Sequence, residues 1–317
     1  MQVTFTMSIK EELAEISSSS PEALAETSAF LRVASLYNLK EIVFTSEHEK
    51  IYDRYKNFLE ERYNIYLEKE GLTNKAFNKN LIYRCEIKDK VPYILDSLAI
   101  YDNDKKLSKP SEDFLGDDSL KAAYLRGAFI GKGVVSDPKT SRYHLEITVD
   151  KKGDAVYIQR LLNYFNLNSR IIKRENKYMV YIKEADKISD FLKLVGAYKA
   201  VLYYENIRVY REEKNKANRL NNMEQANLEK AMSSALKQLE DIELIERELG
   251  LEFLDERCLE AANYRIKHPE YSLLELTEEM SRDGINITKS GLNHRFRKIS
   301  GMAERIRKRM KRASKEK

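Results

Sequence analysis

Residues 272–298 read SLLELTEEMSRDGINITKSGLNHRFRK, and this stretch decides how the C-terminal third of the chain folds. Ser272, with Glu275 three positions on, forms a capping box, so a helix starts there and runs to about residue 281. Leu273, Leu276, Thr277 and Met280 recur at intervals of three and four, which makes them one face of that helix. Arg282-Asp283-Gly284 stops it, because Gly284 can take the left-handed conformation such a stop needs. Thr288 has the chemistry to cap a second helix, with Leu292, Phe296 and Ile299 as its buried face. At about 100° per residue, Ser290, Asn293, His294 and Arg297 then point the other way. Their hydroxyl, amide, imidazole and guanidinium groups can pair with base edges in a major groove. The pattern fits a helix-turn-helix over about 272–305, with the second helix as reader. The alternative is an αα-hairpin with a solvated polar face.

Working outward, charge favours the reader. Residues 285–317 hold twelve Lys and Arg, among them Lys289, Arg295, Arg297, Lys298, Arg305, Arg307, Lys308 and Arg309, against the two acids Glu304 and Glu316. That segment is net +10 in a chain of net +5, so residues 1–284 carry −5. Positive charge gathered beside a reading helix is the footprint of phosphate contact.

The chain has 317 residues, enough for two or three domains, and is 42% hydrophobic and 34% charged, which gives packed cores under a heavily solvated surface. Cys85 and Cys258 match no metal-binding spacing and suggest buried thiols in a reducing compartment. His48, His144, His268 and His294 form no HxxH or HExxH cluster. No metal or other cofactor is expected. No apolar run is long enough to span a membrane, and the opening MQVTFTMSIKEELAEI lacks a signal-peptide layout. Ser8 and Glu11 there form a further capping box, with Met7 as a candidate natural start. The expected location is cytoplasmic and nucleoid-associated.

An internal duplication organises the rest. Residues 29–35 (AFLRVAS) align with 123–129 (AYLRGAF) at an offset of 94, and the same offset pairs 94–98 with 188–192. The first half reads as helix 21–37, strand 41–46, helix 49–63, strands 65–69 and 81–88, and helix 92–101. The second repeats it as helix 119–130, strand 143–149, helix 153–165, strands 169–174 and 177–183, and helix 185–195. The halves span about 1–104 and 118–200, and the polar run 102–118 links them.

Leu125-Arg126-Gly127-Ala128-Phe129-Ile130-Gly131-Lys132-Gly133 resembles a degenerate LAGLIDADG motif, and residues 31–39, from Leu31, a weaker copy. The resemblance implies two motif helices packed closely at a pseudo-twofold axis, with saddle-shaped sheets. In active homing endonucleases of that family, an acid near the end of each motif holds the metal ion that activates water. Those positions count to Asn38 and Lys132 here, so both carboxylates are missing. The family fold is expected without the family reaction.

A LAGLIDADG-like duplication followed by a helix-turn-helix resembles the WhiA family of bacterial regulators over nearly the whole chain. Residues 219–227 (RLNNMEQAN), 268–273 (HPEYSL) and 287–295 (ITKSGLNHR) carry the likeness. It implies a non-enzymatic DNA-binding protein linked to cell division, chromosome segregation and, in spore-formers, sporulation. The fold class expected is α+β: a duplicated αββαββα-type domain over 1–214, a hinge at 215–224 and an all-α domain over 225–317. The apolar residues of 227–249 fall near one face, which is read as core of the small domain rather than a dimer seam. Gly250 then breaks the helix, and a further one covers 254–267. Lys173, Arg174, Lys177 and Lys183 could track a DNA backbone or form a solvated sheet edge, and most tyrosines are read as packing.

Double-stranded DNA is therefore the expected partner. One alternative is an adaptor whose LAGLIDADG-like domain holds a protein partner. The other is an endonuclease with relocated acids such as Asp137 or Glu146.

Overall fold

Twice over, the first 200 residues build a helix, two strands, a helix, two strands and a helix. The computed structural model describes residues 4–73, 81–140 and 142–313, and the chain divides into two compact units, Met1–Arg211 and Glu212–Lys317.

In the first unit, α1 (Phe5–Ala14) is capped by Thr4, whose Oγ1 accepts from the amide of Met7 at 3.3 Å. The capping box expected at Ser8 is not formed, because Ser8 lies inside the helix and its hydroxyl donates to the carbonyl of Phe5. The first repeat is α2 (Ser20–Ala34), β1 (Ser35–Tyr37), β2 (Ile42–Ser46), α3 (Glu49–Tyr63), β3 (Glu70–Thr73), β4 (Leu81–Ile87) and α4 (Val91–Ser97). A hairpin of β5 (Tyr101–Asp102) and β6 (Lys105–Lys106), then a single turn Asp113–Leu115, occupy the linker. The second repeat is α5 (Asp118–Lys132), β7 (Gly133–Val135), β8 (Leu145–Val149), α6 (Lys152–Tyr164), β9 (Arg170–Arg174), β10 (Lys177–Ile182) and α7 (Ala185–Val195). Each repeat forms a four-stranded sheet, ordered β1-β2-β4-β3 and β7-β8-β10-β9, with antiparallel neighbours throughout.

Helices α3 and α7 match their expected spans. Helix α2 stops three residues early, because Ser35–Tyr37 leave it to pair with β2. The strand expected at 65–69 lies later, at Glu70–Thr73, and Ser97 ends the helix expected to reach 101. The strand residues Leu145, Ile147 and Val149 are buried, as their alternation requires.

Helices α2 and α5 pack against each other across the axis of the duplication. Gly127 makes this possible: a Cβ there would stand 2.0 Å from the carbonyl oxygen of Glu26. One turn on, a Cβ at Gly131 would lie 2.6 Å from Val33 Cγ2. Beside this crossing, the buried carboxylate of Glu26 accepts from Arg54 Nε of α3 at 2.6 Å and from Arg126 Nε of α5 at 2.7 Å. Tyr55 Oη donates to it as well, at 3.2 Å. A buried carboxylate is tolerable only with such partners, and these join the two repeats.

Helix α8 (Tyr198–Glu248) runs for 51 residues, and the boundary between the units falls inside it. The hinge expected at 215–224 is therefore helix. Its Asn, Arg, Lys, Glu, Met, Leu and Ala residues include neither Gly nor Pro, so nothing in the segment breaks the hydrogen-bond ladder. Gly250, at φ +91°, is where the chain does turn. A short turn, Leu251–Phe253, leads to α9 (Glu256–Lys267), α10 (Leu273–Arg282) and α11 (Lys289–Ala313). The core of the second unit joins Ile242 and Ile245 of α8 to Ala261, Leu276, Met280, Leu292, Phe296 and Ile299. Farther up α8, Leu228 and Met232 are exposed, so only the end of the expected apolar face enters that core.

Candidate nucleic-acid interface

The helix-turn-helix stands on its caps. Ser272 and Glu275 form the capping box, with the Ser272 amide donating to the Glu275 carboxylate at 2.7 Å. That bond holds the Glu275 carboxyl below its usual range. Gly284 closes α10 at φ +84°, and Thr288 Oγ1 accepts from the amide of Gly291 at 3.1 Å to open α11. Tyr264 Oη donates to Asp283, which pushes the phenol up to about 12 and pins the turn to α9. Beneath lies a residue the sequence did not flag. Arg265, 1% exposed, donates to the carbonyls of His268, Pro269 and Tyr271 and to Gln238 Oε1. It holds the loop before α10, and burial pulls its guanidinium down to about 10.

On α11, Leu292, Phe296 and Ile299 are buried as expected, while Lys289, Ser290, His294, Arg297 and Lys298 are exposed and Asn293 is half-buried. Lys289, Ser290, Asn293, His294, Arg297, Arg305, Lys308 and Arg309 have no side-chain hydrogen bond or ion pair among the described residues, so their polar groups are free for a ligand. Two expected DNA contacts are otherwise engaged. Arg295 pairs with Glu260 and donates to the carbonyl of Arg257 at 3.1 Å. Arg307 Nη1 stands 2.7 Å from the buried Asp241 Oδ1, an ion pair whose angles fall short of a hydrogen bond. Both arginines lie on the flanks of the buried face, where carboxylates of α9 and α8 reach them. Lys298 makes a looser contact with Asp255, at 3.8 Å.

At the ends of the motif helices the sequence alignment slips. Lys132 is the last residue of α5, immediately before β7. Its counterpart by position is Ala34, the last residue of α2, immediately before β1. Asn38 lies a turn further on, in the β1–β2 hairpin, where its Oδ1 accepts from the amides of Lys40 and Glu41. Of the other motif residues, Leu31 and Leu125 are core, and Gly133 packs on Phe129. Ala34 and Lys132 share a cavity of about 250 Å³, and neither is an acid. The relocated acids do not supply one either. Asp137 caps its own turn at the amide of Lys139, and Glu146 binds His144 Nε2 at 2.7 Å. Among the described residues no group of three His, Cys, Asp or Glu could hold a metal ion. Burial pushes the Cys85 thiol up to about 12; burial and Asp255 push Cys258 up to about 11.

Residues 121–214 match the WhiA LAGLIDADG-like domain, and residues 217–303 match the WhiA C-terminal HTH domain. Proteins called "Probable cell division protein WhiA" from Staphylococcus saprophyticus and Staphylococcus aureus are each 38% identical over 309 residues, 96% of this chain and 98% of theirs. The chain belongs to the WhiA family. The crystal structure of full-length DUF199/WhiA from Thermatoga maritima is 26% identical, with a TM-score of 0.57, and the match covers 94% of this chain and 96% of that one.

The WhiA helix-turn-helix match starts within α8 and ends at Ala303, so the basic run from 305 onward lies beyond it. The four basic residues on or beside the second sheet are all exposed. Lys173 and Lys177 sit on β9 and β10 with Arg174, while Lys183 lies over the ring of Tyr181. No helix among the described residues is long and apolar enough to cross a membrane.

Proposed function

We propose that the chain is a sequence-specific DNA-binding regulator of transcription that does not cut its target. The observation that carries this reading is the outer face of α11, where Ser290, Asn293, His294 and Arg297 stand without side-chain partners among the described residues, on a helix capped and buried for rigid presentation. Lys289, Arg305, Lys308 and Arg309 flank that face and supply salt-sensitive affinity for the phosphate backbone. Ala34 and Lys132 at the motif-helix ends offer no carboxylate pair for two-metal cleavage.

The relatives' printed name ties them to cell division, and we extend that role to this chain, together with chromosome segregation and, in spore-formers, sporulation. Its place is then the cytoplasm, on the nucleoid. A protein partner on the LAGLIDADG-like domain is a second reading, since residues 1–214 carry only +2 against the +10 of residues 285–317.

Purified full-length chain, presented with a random duplex library with and without magnesium, tests the first reading and its non-enzymatic part. Enrichment of one motif with intact strand ends is the expected result. Magnesium-dependent new ends would overturn the non-enzymatic part. No enrichment at all would remove the base-reading role from α11.

A further inference from the structure

The cavity at the ends of α2 and α5 has an unusual charge content. Lys10 reaches it from α1 and Lys132 from the end of α5. Neither ammonium has a carboxylate within ion-pairing distance among the described residues. Lys10 instead lies 5.9 Å from the centre of the Phe129 ring. The rest of the polar lining comes from Thr45, Ser46, Glu47 and His48. His48 Nδ1 faces Glu11 at 3.6 Å, and the Ser46 hydroxyl donates to the carbonyl of His48, which leaves Glu47 as the one acid in the lining.

Lys10 is half-buried and Lys132, exposed at the rim, repels it, so an anion between the two is favoured. Burial and the repulsion of Lys132 together bring the Lys10 ammonium down to about 8. We propose that this cavity binds a phosphate group, held between the Lys10 and Lys132 ammonium groups with the Thr45 hydroxyl as a further donor. At about 250 Å³ the cavity lies below the roughly 300–1,000 Å³ of pockets that enclose drug-sized ligands, so it fits one phosphate with little attached. The group can come from a free phosphate ester or from a DNA backbone passing the site. In either case a cation fixed to the protein stands where the LAGLIDADG resemblance places a metal ion. This site is independent of the reading face on α11.

The test follows the Lys10 side chain itself. Full-length chain carrying 13C-labelled lysine is titrated with base in chloride, in inorganic phosphate at equal ionic strength, and with a short duplex. The Lys10 signal is assigned by its loss in Lys10→Met. Phosphate should raise the Lys10 midpoint by about one unit, because an anion favours the charged form. Lys132→Met should raise the midpoint in chloride, by removing the repulsion, and should abolish most of the phosphate-induced rise. A rise with duplex but not with inorganic phosphate identifies the backbone as the source and upholds the site. No rise with either overturns the proposal. So does a rise that persists undiminished in Lys132→Met, or one shared equally by exposed lysines.

Discussion

Arg295 and Arg297 lie two residues apart on α11 and have different tasks. The first is held by Glu260 and the carbonyl of Arg257, while the second is exposed and unpaired. Arg295→Ala should lower folding stability by about 1 kcal/mol, since it removes a half-buried ion pair with hydrogen bonds. Arg297→Ala should leave stability within about 0.5 kcal/mol and cost about 1–3 kcal/mol of discrimination at one base pair. Thermal unfolding paired with binding to single-base variants of the selected site separates the two. Equal weakening on every duplex would make Arg297 a phosphate contact. Lys10 is a second case in which environment decides. Its folded value of about 8 lies below the ordinary 10.5, so at neutral pH the folded state holds a proton at a cost. Between those values the unfolded chain binds more protons than the folded one, and stability rises with pH. Lys10→Met should therefore raise Tm at neutral pH, and its advantage should shrink as pH climbs from about 8 towards 10.5. An advantage independent of pH would mean that Lys10 is not buried with its charge. Sequence could not have paired Lys10 with Lys132, because only the packing of α1 beside the motif helices brings them together.

At the scale of elements, the helix pair α2–α5 is the constraint on which the large unit depends. Gly127→Ala places a methyl group 2.0 Å from backbone, which no rotamer can relieve, so the helices must separate. A loss of about 3 kcal/mol or more is expected in chemical denaturation, whereas Gly301→Ala, inside α11 and meeting nothing within 4 Å, should gain up to about 1 kcal/mol. A tolerated Gly127→Ala would show that the helices do not cross closely enough to bring a Cβ within 2.0 Å of the Glu26 carbonyl. The same pair shows what the sequence could and could not convey. The repeated Leu-Arg and apolar spacing established the duplication, the fold class and most element spans. They also aligned the two motif helices four residues out of register. A slip of four costs only about 40° of rotation and about 6 Å of rise, so the apolar face survives it and the error is invisible to periodicity. The real register is set by where each chain leaves its helix for a strand, at Ser35 and Gly133. That choice depends on pairing with β2 and β8, which lie later in the chain. The helical state of the segment 215–224 was hidden for a related reason. Its polarity signals solvent contact, and a helix exposed on nearly all sides is polar too.

For the whole molecule, the proposed function and the division of charge together predict that binding strength and base reading can be altered separately. The run 285–317 carries +10 and the remainder −5. Of the arginines and lysines in that run, Arg295 and Arg307 neutralise carboxylates of their own domain and so release few counterions when DNA binds. Lys308 and Arg309 are exposed and unpaired. Replacing both with Gln should lower the slope of log affinity against log salt by about 2, weaken all duplexes alike and leave the preferred motif unchanged. Arg307→Gln should behave differently: the buried Asp241 loses its cation, stability falls by about 1–3 kcal/mol, and the salt slope barely moves. Fluorescence anisotropy over a salt series, with unfolding curves on the same variants, reads both effects. If Arg307→Gln lowered the slope as much as Lys308→Gln does, the Asp241 ion pair would have to open on DNA. The helix-turn-helix core would then be linked to phosphate binding rather than merely carrying it.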